Sequence, residues 1–202
     1  MKSKYKKHIG IVLPKDILID GEYIKTKSYS TQDNYIQETT PSYVLWKAMH
    51  FRIRNDPTYY NVSVEFCDFQ SFAVWCNSQI GYGLKDEKGR AYQLDKDILF
   101  PGNRSYSEGT CCFIPNYLNA FFRCGSGVAF HSLTGKYQAT IQWRGRSKYL
   151  GLFHSFEEAR YYYLKERLSI LENLIKSEIY ASNIMEGLSR HRKEIQNSIQ
   201  IP

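Results

Sequence analysis

From Thr110 to Ser155 the chain contains no aspartate and no glutamate, although 20 acidic residues are spread over its 202 positions. What charge that stretch carries is positive, on Arg123, Lys136, Arg144, Arg146 and Lys148. Histidine is missing between His50 and His131, so no imidazole is available in the middle of the sequence for acid–base chemistry. No run approaches the roughly 18 apolar residues of a membrane-spanning helix. The basic opening residues lack the apolar centre of a secretory signal, and the chain is read as soluble and cytoplasmic. The five cysteines, at 67, 76, 111, 112 and 124, include no Cys-x-x-Cys pair. An odd number without that spacing argues against a disulfide framework, and the vicinal Cys111–Cys112 has no second pair at zinc-ligand spacing. Buried free thiols are expected instead. Internal repeats and low-complexity tracts are also absent.

What is present is positive charge and aromatic mass. The formal net charge is +7, which favours a polyanionic partner. Aromatic residues make up 15% of the chain, with 17 tyrosines, a composition suited to compact domains with polar-tipped cores and to stacking on nucleic acid. The length allows one sizeable domain or two small ones.

The stretch from Gly127 to Leu168 reads most clearly. From Tyr137 to Trp143 apolar residues alternate strictly: Tyr137, Ala139, Ile141 and Trp143 on one face, Gln138, Thr140 and Gln142 on the other. That period of two marks a half-buried strand. Arg144-Gly145-Arg146 then turns the chain and Lys148–Phe153 supplies a partner strand. Ser155 followed three residues later by Glu158 predicts a capping box opening a helix. Leu164, Leu168, Leu171 and Ile175 carry this helix to about residue 178, with an apolar seam free to pack within the chain or to form a homodimer.

The runs Gly127-Val128, Gly135–Ile141, Tyr149–Phe153 and Glu157-Glu158-Ala159 together resemble the Apetala/ethylene-response-factor type DNA-binding domain. The resemblance implies a three-stranded sheet laid into the major groove of double-stranded DNA, its helix packed on the far side. By strand register the groove-facing positions are Thr140, Gln142, Ser147 and Tyr149, with Lys136 and Arg144 nearby. Gln138, Arg146 and Lys148 complete the expected DNA-binding set. The match covers about a fifth of the chain. The plainer reading is a β-β-α module with solvated charges.

Earlier residues point to a separate core. Tyr43, Trp46, Ala48, Met49 and Ile53 recur at helical spacing until Asp56-Pro57 breaks the helix. Val62, Val64, Phe66, Phe69, Phe72, Val74 and Trp75 form a second apolar set ending in a helix over about Phe69–Cys76. The opening arm carries Lys2, Lys4, Lys6 and Lys7, placed either in solvent or on phosphate.

Tyr92–Asn119 contains Asp95-Lys96-Asp97, a Gly102-Asn103 turn, Tyr106-Ser107 and Cys111–Pro115. With Trp46–Met49 and Tyr59–Trp75 upstream, this resembles phage-encoded HNH-like homing endonucleases. The resemblance implies a β-β-α finger holding one divalent ion, Mg2+ or alternatively Mn2+, against the scissile phosphate. Asp95 matches the acidic metal ligand, Asn119 the helix asparagine that completes the metal site, and Asn103 the asparagine that ties the strands. The general-base position of that family is Lys96 here. Either Lys96, Asp97 or a metal-bound water replaces the base, or the finger does not cleave. Asp-x-Asp before a Gly-Asn turn is also ordinary turn chemistry, in which these side chains bond backbone amides.

The expected fold class is α+β. The layout is a basic arm at 1–41, an HNH-like nuclease domain at 42–122, the DNA-binding module at 123–178 and a basic C-terminal tail at 179–202 containing Arg190-His191-Arg192-Lys193. The expected function is a metal-dependent DNA endonuclease of phage or mobile-element type. A DNA-binding regulator without cleavage, or an inhibitor acting on a host protein, are the alternatives.

Overall fold

A computed structural model describes residues 16, 18–19, 21–30, 35–123, 125–178 and 180–199. The opening arm with Lys2, Lys4, Lys6 and Lys7, and Cys124, lie outside the described residues. The fold is mixed α+β, with small antiparallel sheets and five α-helices among the described residues. No helix among them is long and apolar enough to cross a membrane. The chain divides into two compact units: residues 1–92 with 106–108, and residues 93–105 with 109–202.

The first unit opens with paired strands β1 (Leu18–Ile19) and β2 (Glu22–Tyr23), then the hairpin β3 (Thr26–Ser30) and β4 (Tyr35–Thr39). Helix α1 (Pro41–Asn55) follows, with Pro41 in its first turn, where a missing N–H costs nothing. A 3-10 turn at Pro57–Tyr59 ends it, as the Asp56-Pro57 break predicts. After β5 (Ser63–Val64), helix α2 (Phe69–Ser78) begins at a reciprocal cap: Asp68 accepts the Ser71 N–H (2.8 Å) and Ser71 Oγ accepts the Asp68 N–H (3.2 Å). Met49, Val62, Phe66, Phe69, Phe72 and Trp75 form the core, whereas Val74 is exposed. Rings of Phe66, Phe72 and Trp75 meet at 5.0–6.0 Å. No break falls at 41/42, because Thr40, at the N-terminal boundary of α1, donates its N–H and hydroxyl to Lys25 C=O. The hairpin and α1 therefore belong to one unit.

The second unit starts with β6 (Gln93–Asp95). The chain passes through β7 (Ser105–Tyr106) and returns as β8 (Cys112–Ile114), antiparallel to β6, and helix α3 (Asn116–Arg123). Strands β9 (Val128–His131), β10 (Lys136–Trp143) and β11 (Arg146–Phe153) form a three-stranded antiparallel sheet with β10 central. Helix α4 (Phe156–Ser177) lies on one face. Ser155 caps it by accepting the Glu158 N–H (3.1 Å). The Glu158 carboxylate returns to the His154 N–H (3.3 Å), one residue before the cap, so the box is only half formed.

Two boundaries differ from expectation. Residues 93–123 do not separate from the sheet at 122/123, because Ile98, Ile114, Leu118 and Phe121 share one core with Ala139, Ile141, Ala159 and Tyr163. Phe121 and Tyr117 meet the Trp143 ring at 5.2 and 5.5 Å. The segment 182–199 is not a tail. It forms α5 (Ser182–Ile199), whose Ile184, Leu188 and Ile195 are buried in the same core. The seam of α4 packs on α5, with Leu171 and Leu188 fully buried, each contributing roughly 1.5–3 kcal/mol. Cys76, Cys111 and Cys112 are buried free thiols, while Cys67 is free and exposed.

Candidate nucleic-acid interface and the Asp95 turn

The sheet owes its shape to a two-residue hairpin and a bulge. Arg144 (φ 50°) and Gly145 (φ 80°) both occupy left-handed backbone space, the geometry of tight hairpins whose twist matches the strands. Arg144 is costly there. It is held by an ion pair with Glu178 and by the rings of Tyr117 (4.3 Å) and Trp143 (5.5 Å). The register shifts between Ala139 and Thr140: Ala139 pairs with Gly151 but Thr140 with Tyr149, leaving Leu150 as the extra residue.

Residues directly opposite in an antiparallel pair share a face. One face therefore carries Tyr137, Ala139, Ile141 and Trp143, and the buried Ala139 and Ile141 lie under α4. The other carries Thr140 beside Tyr149, Gln142 beside Ser147, Gln138 between Leu152 and Ala129, and Lys136 opposite His131. Tyr149 is 58% exposed and Gln142 and Ser147 are exposed. Among the described residues no protein group hydrogen-bonds the side chains of Gln138, Thr140, Gln142 or Ser147. The result is a polar, uncharged centre with a cation at one end. Glutamine and threonine in that array can read donor and acceptor patterns on base edges.

Three residues expected on this face are elsewhere. Lys148 pairs with Ile141, so its side chain falls on the helix side, where Nζ bonds Glu166 Oε1 at 2.8 Å. Arg144 turns to Glu178 instead of standing free beside the groove-facing residues. Glu178 also accepts from Tyr117 (2.7 Å) and Tyr180, and burial pushes the Tyr117 phenol up to about 12. Arg146 is exposed at the start of β11 and, opposite Trp143, also falls on the helix side.

The second candidate lies at the end of β6. Asp95 is 9% exposed, and its Oδ1 accepts the N–H groups of Asp97 (2.9 Å) and Ile98 (2.7 Å). Burial raises its pKa against those two bonds, with Asp97 adding to the rise and Lys96 opposing it. Its strand partner Cys112 is also raised, by burial first and then by the Asp95 charge. Lys96, 6% exposed, donates to Asp97 Oδ1 (2.7 Å) and to Asn103 C=O (2.9 Å). Asn103 ties the loop as expected: Nδ2 donates to the carbonyls of Lys96 (2.7 Å) and Ser105 (2.6 Å). Asn119 is half-buried on α3.

Helix α5 supplies further residues beside this turn, from the segment expected to be a tail. Arg190 Nη1 donates to Leu99 C=O (2.7 Å) and its guanidinium covers the Phe100 ring at 4.7 Å. His191 Nε2 lies 3.2 Å from Asp97 C=O and its ring 4.3 Å from Phe122. Burial lowers the His191 pKa, which favours the neutral ring with its proton on Nε2, donating to that carbonyl. Gly187 sits so close that an added Cβ would stand 2.3 Å from Ile98 C=O. The apolar stripe Ile184, Leu188 and Ile195, with Gly187 and His191 between, is the signal that could have revealed this helix.

A divalent ion wants several ionised or carbonyl oxygens aimed at one point. Here Asp95 is committed to two backbone amides and a buried ammonium stands next to it in the turn. Among the described residues no three His, Cys, Asp or Glu side chains gather to hold an ion. The arrangement is that of a capped turn. Comparison with protein-family models, curated proteins and solved structures finds no match to this chain.

Proposed function

We propose that this protein binds double-stranded DNA through the face of its β9–β10–β11 sheet opposite α4. One observation carries the reading: the bulged register aligns Gln138, Thr140, Gln142, Ser147 and Tyr149 on one face, within a stretch free of carboxylates from Thr110 to Ser155. A β-ribbon fits the major groove, where glutamine can pair with adenine and threonine with either partner type. Lys136 is the cation on this face placed to meet a phosphate, a contact that fixes position without carrying sequence information. The β6–β8–α3 segment supports the sheet through their shared core. Binding of labelled duplex by fluorescence anisotropy, wild type against Thr140→Ala/Gln142→Ala, tests this; equal affinity and equal sequence preference would contradict it.

A second reading, DNA cleavage of the phage or mobile-element type, is supported by the order of elements in the second unit. Two antiparallel strands precede a helix, with Asp95 ending the first strand and Asn119 on the helix. Incubation with supercoiled plasmid and Mg2+ or Mn2+ separates the readings. Nicking by wild type but not by Asp95→Ala or Asn119→Ala would establish cleavage, and intact plasmid with a gel shift would leave DNA binding alone.

A further inference from the structure

The first unit carries an open cleft of about 500 Å³ along α1, lined by Tyr43, Trp46, Lys47, His50, Phe51 and Arg54. These positions form a stripe about 16 Å long at 1.5 Å rise per residue. Helix α1 contains no acidic residue, and Asp56, which follows it, is engaged by Thr58. Among the described residues no carboxylate pairs with Lys47 or Arg54, and both are exposed. Phe51 projects between them, 67% exposed. Lys47 and Lys25 stand over the Tyr43 ring at 5.2 and 5.7 Å, so cations and rings interleave.

The cleft wall also includes the His50 ring, 4.4 Å from that of Trp46. Burial and the Arg54 charge both favour its neutral form, so these rings add flat, uncharged surface beside the cations.

We infer that the α1 cleft binds single-stranded DNA, with Lys47 and Arg54 on phosphates, Phe51 against an unstacked base and the Trp46 and His50 rings forming the cleft wall. The charge selects a polyanion, and an exposed ring flanked by cations selects unpaired bases, whose faces a duplex hides. This site is separate from the sheet and does not depend on the sheet's function.

The test uses the full chain and a labelled oligothymidylate, with affinity followed by anisotropy over a range of salt. Phe51→Ala should weaken binding about fivefold or more, the lower end for loss of one base-stacking ring. Lys47→Ala/Arg54→Ala should reduce the slope of log affinity against log salt by about 1.4, at roughly 0.7 per phosphate contact on a single strand. Thr140→Ala/Gln142→Ala, measured in parallel on duplex and oligothymidylate, should leave the latter unchanged, which separates failure of this site from failure of the sheet. The altered side chains are exposed apart from the half-buried Thr140, and unchanged melting temperatures confirm folded variants. Wild-type affinity in the α1 variants would overturn the proposal, as would no oligothymidylate binding by wild type. Equal competition by polyglutamate would also overturn it, by assigning the cleft to an acidic protein.

Discussion

Replacing Asp95 by asparagine and by alanine distinguishes a turn-capping carboxylate from a metal ligand. In alanine the N–H groups of Asp97 and Ile98 lose their acceptor at a site that is 9% exposed. Leaving a buried donor unsatisfied costs about 1–3 kcal/mol, so the pair amounts to roughly 2–6 kcal/mol. At roughly 2–4 °C per kcal/mol for a chain of this size, the melting temperature should fall by about 10 °C. Asparagine keeps Oδ1 as acceptor and removes the charge that burial penalises. A carboxyl whose folded-state pKa is raised binds its proton more tightly folded than unfolded. Its contribution is therefore most favourable below the unfolded value near 3.8 and declines as pH rises through the folded value. Asp95→Asn should accordingly melt above wild type at pH 7, and the gain should shrink as the pH approaches 3.8. Differential scanning fluorimetry across pH, with and without Mg2+, reads all of this. A loss in asparagine as large as in alanine, or a Mg2+-dependent rise confined to wild type, would refute the capping account.

Other outcomes follow from the same geometry. Gly187→Ala should destabilise the second unit by about 1–3 kcal/mol in thermal melts despite alanine's better helix propensity, because its Cβ would meet Ile98 C=O at 2.3 Å. Lys136→Ala should lower the magnitude of the duplex salt slope by about 0.9, whereas Lys148→Ala, tied to Glu166 on the helix side, should change it less. His191, whose folded pKa lies below its ordinary 6.5, stabilises the fold above 6.5 and loses that contribution as pH falls through the window below it. His191→Gln should therefore flatten the decline of stability between pH 7 and 5 in denaturant titrations.

The strand alternation of Tyr137–Trp143 fixed which side chains face α4, because the period of two survives any register. The expected set Thr140, Gln142, Ser147 and Tyr149 does share one face, as the bulge at Leu150 requires. Lys148 was misplaced because adjacent strand residues alternate faces, so it cannot join both Ser147 and Tyr149. Arg144 looked like a free cation because its partner Glu178 is 34 positions away and invisible to local pattern. Asp56-Pro57 and Ser155 announced helix ends through local chemistry, which sequence carries directly. The shared core of Phe121 and Trp143 and the docking of α5 are long-range packing, which composition and spacing carry only weakly. The charged run Arg190–Lys193 also drew attention from the apolar stripe beneath it.

The most direct test of the DNA-binding account is duplex affinity against salt for wild type and for Gln138→Ala/Gln142→Ala/Tyr149→Ala. The account predicts a steep linear fall of log affinity with log salt in wild type. It also predicts that the triple variant loses discrimination between duplex sequences while retaining most of that slope, since phosphate contacts remain. A flat salt response, or unchanged discrimination in the variant, would contradict it.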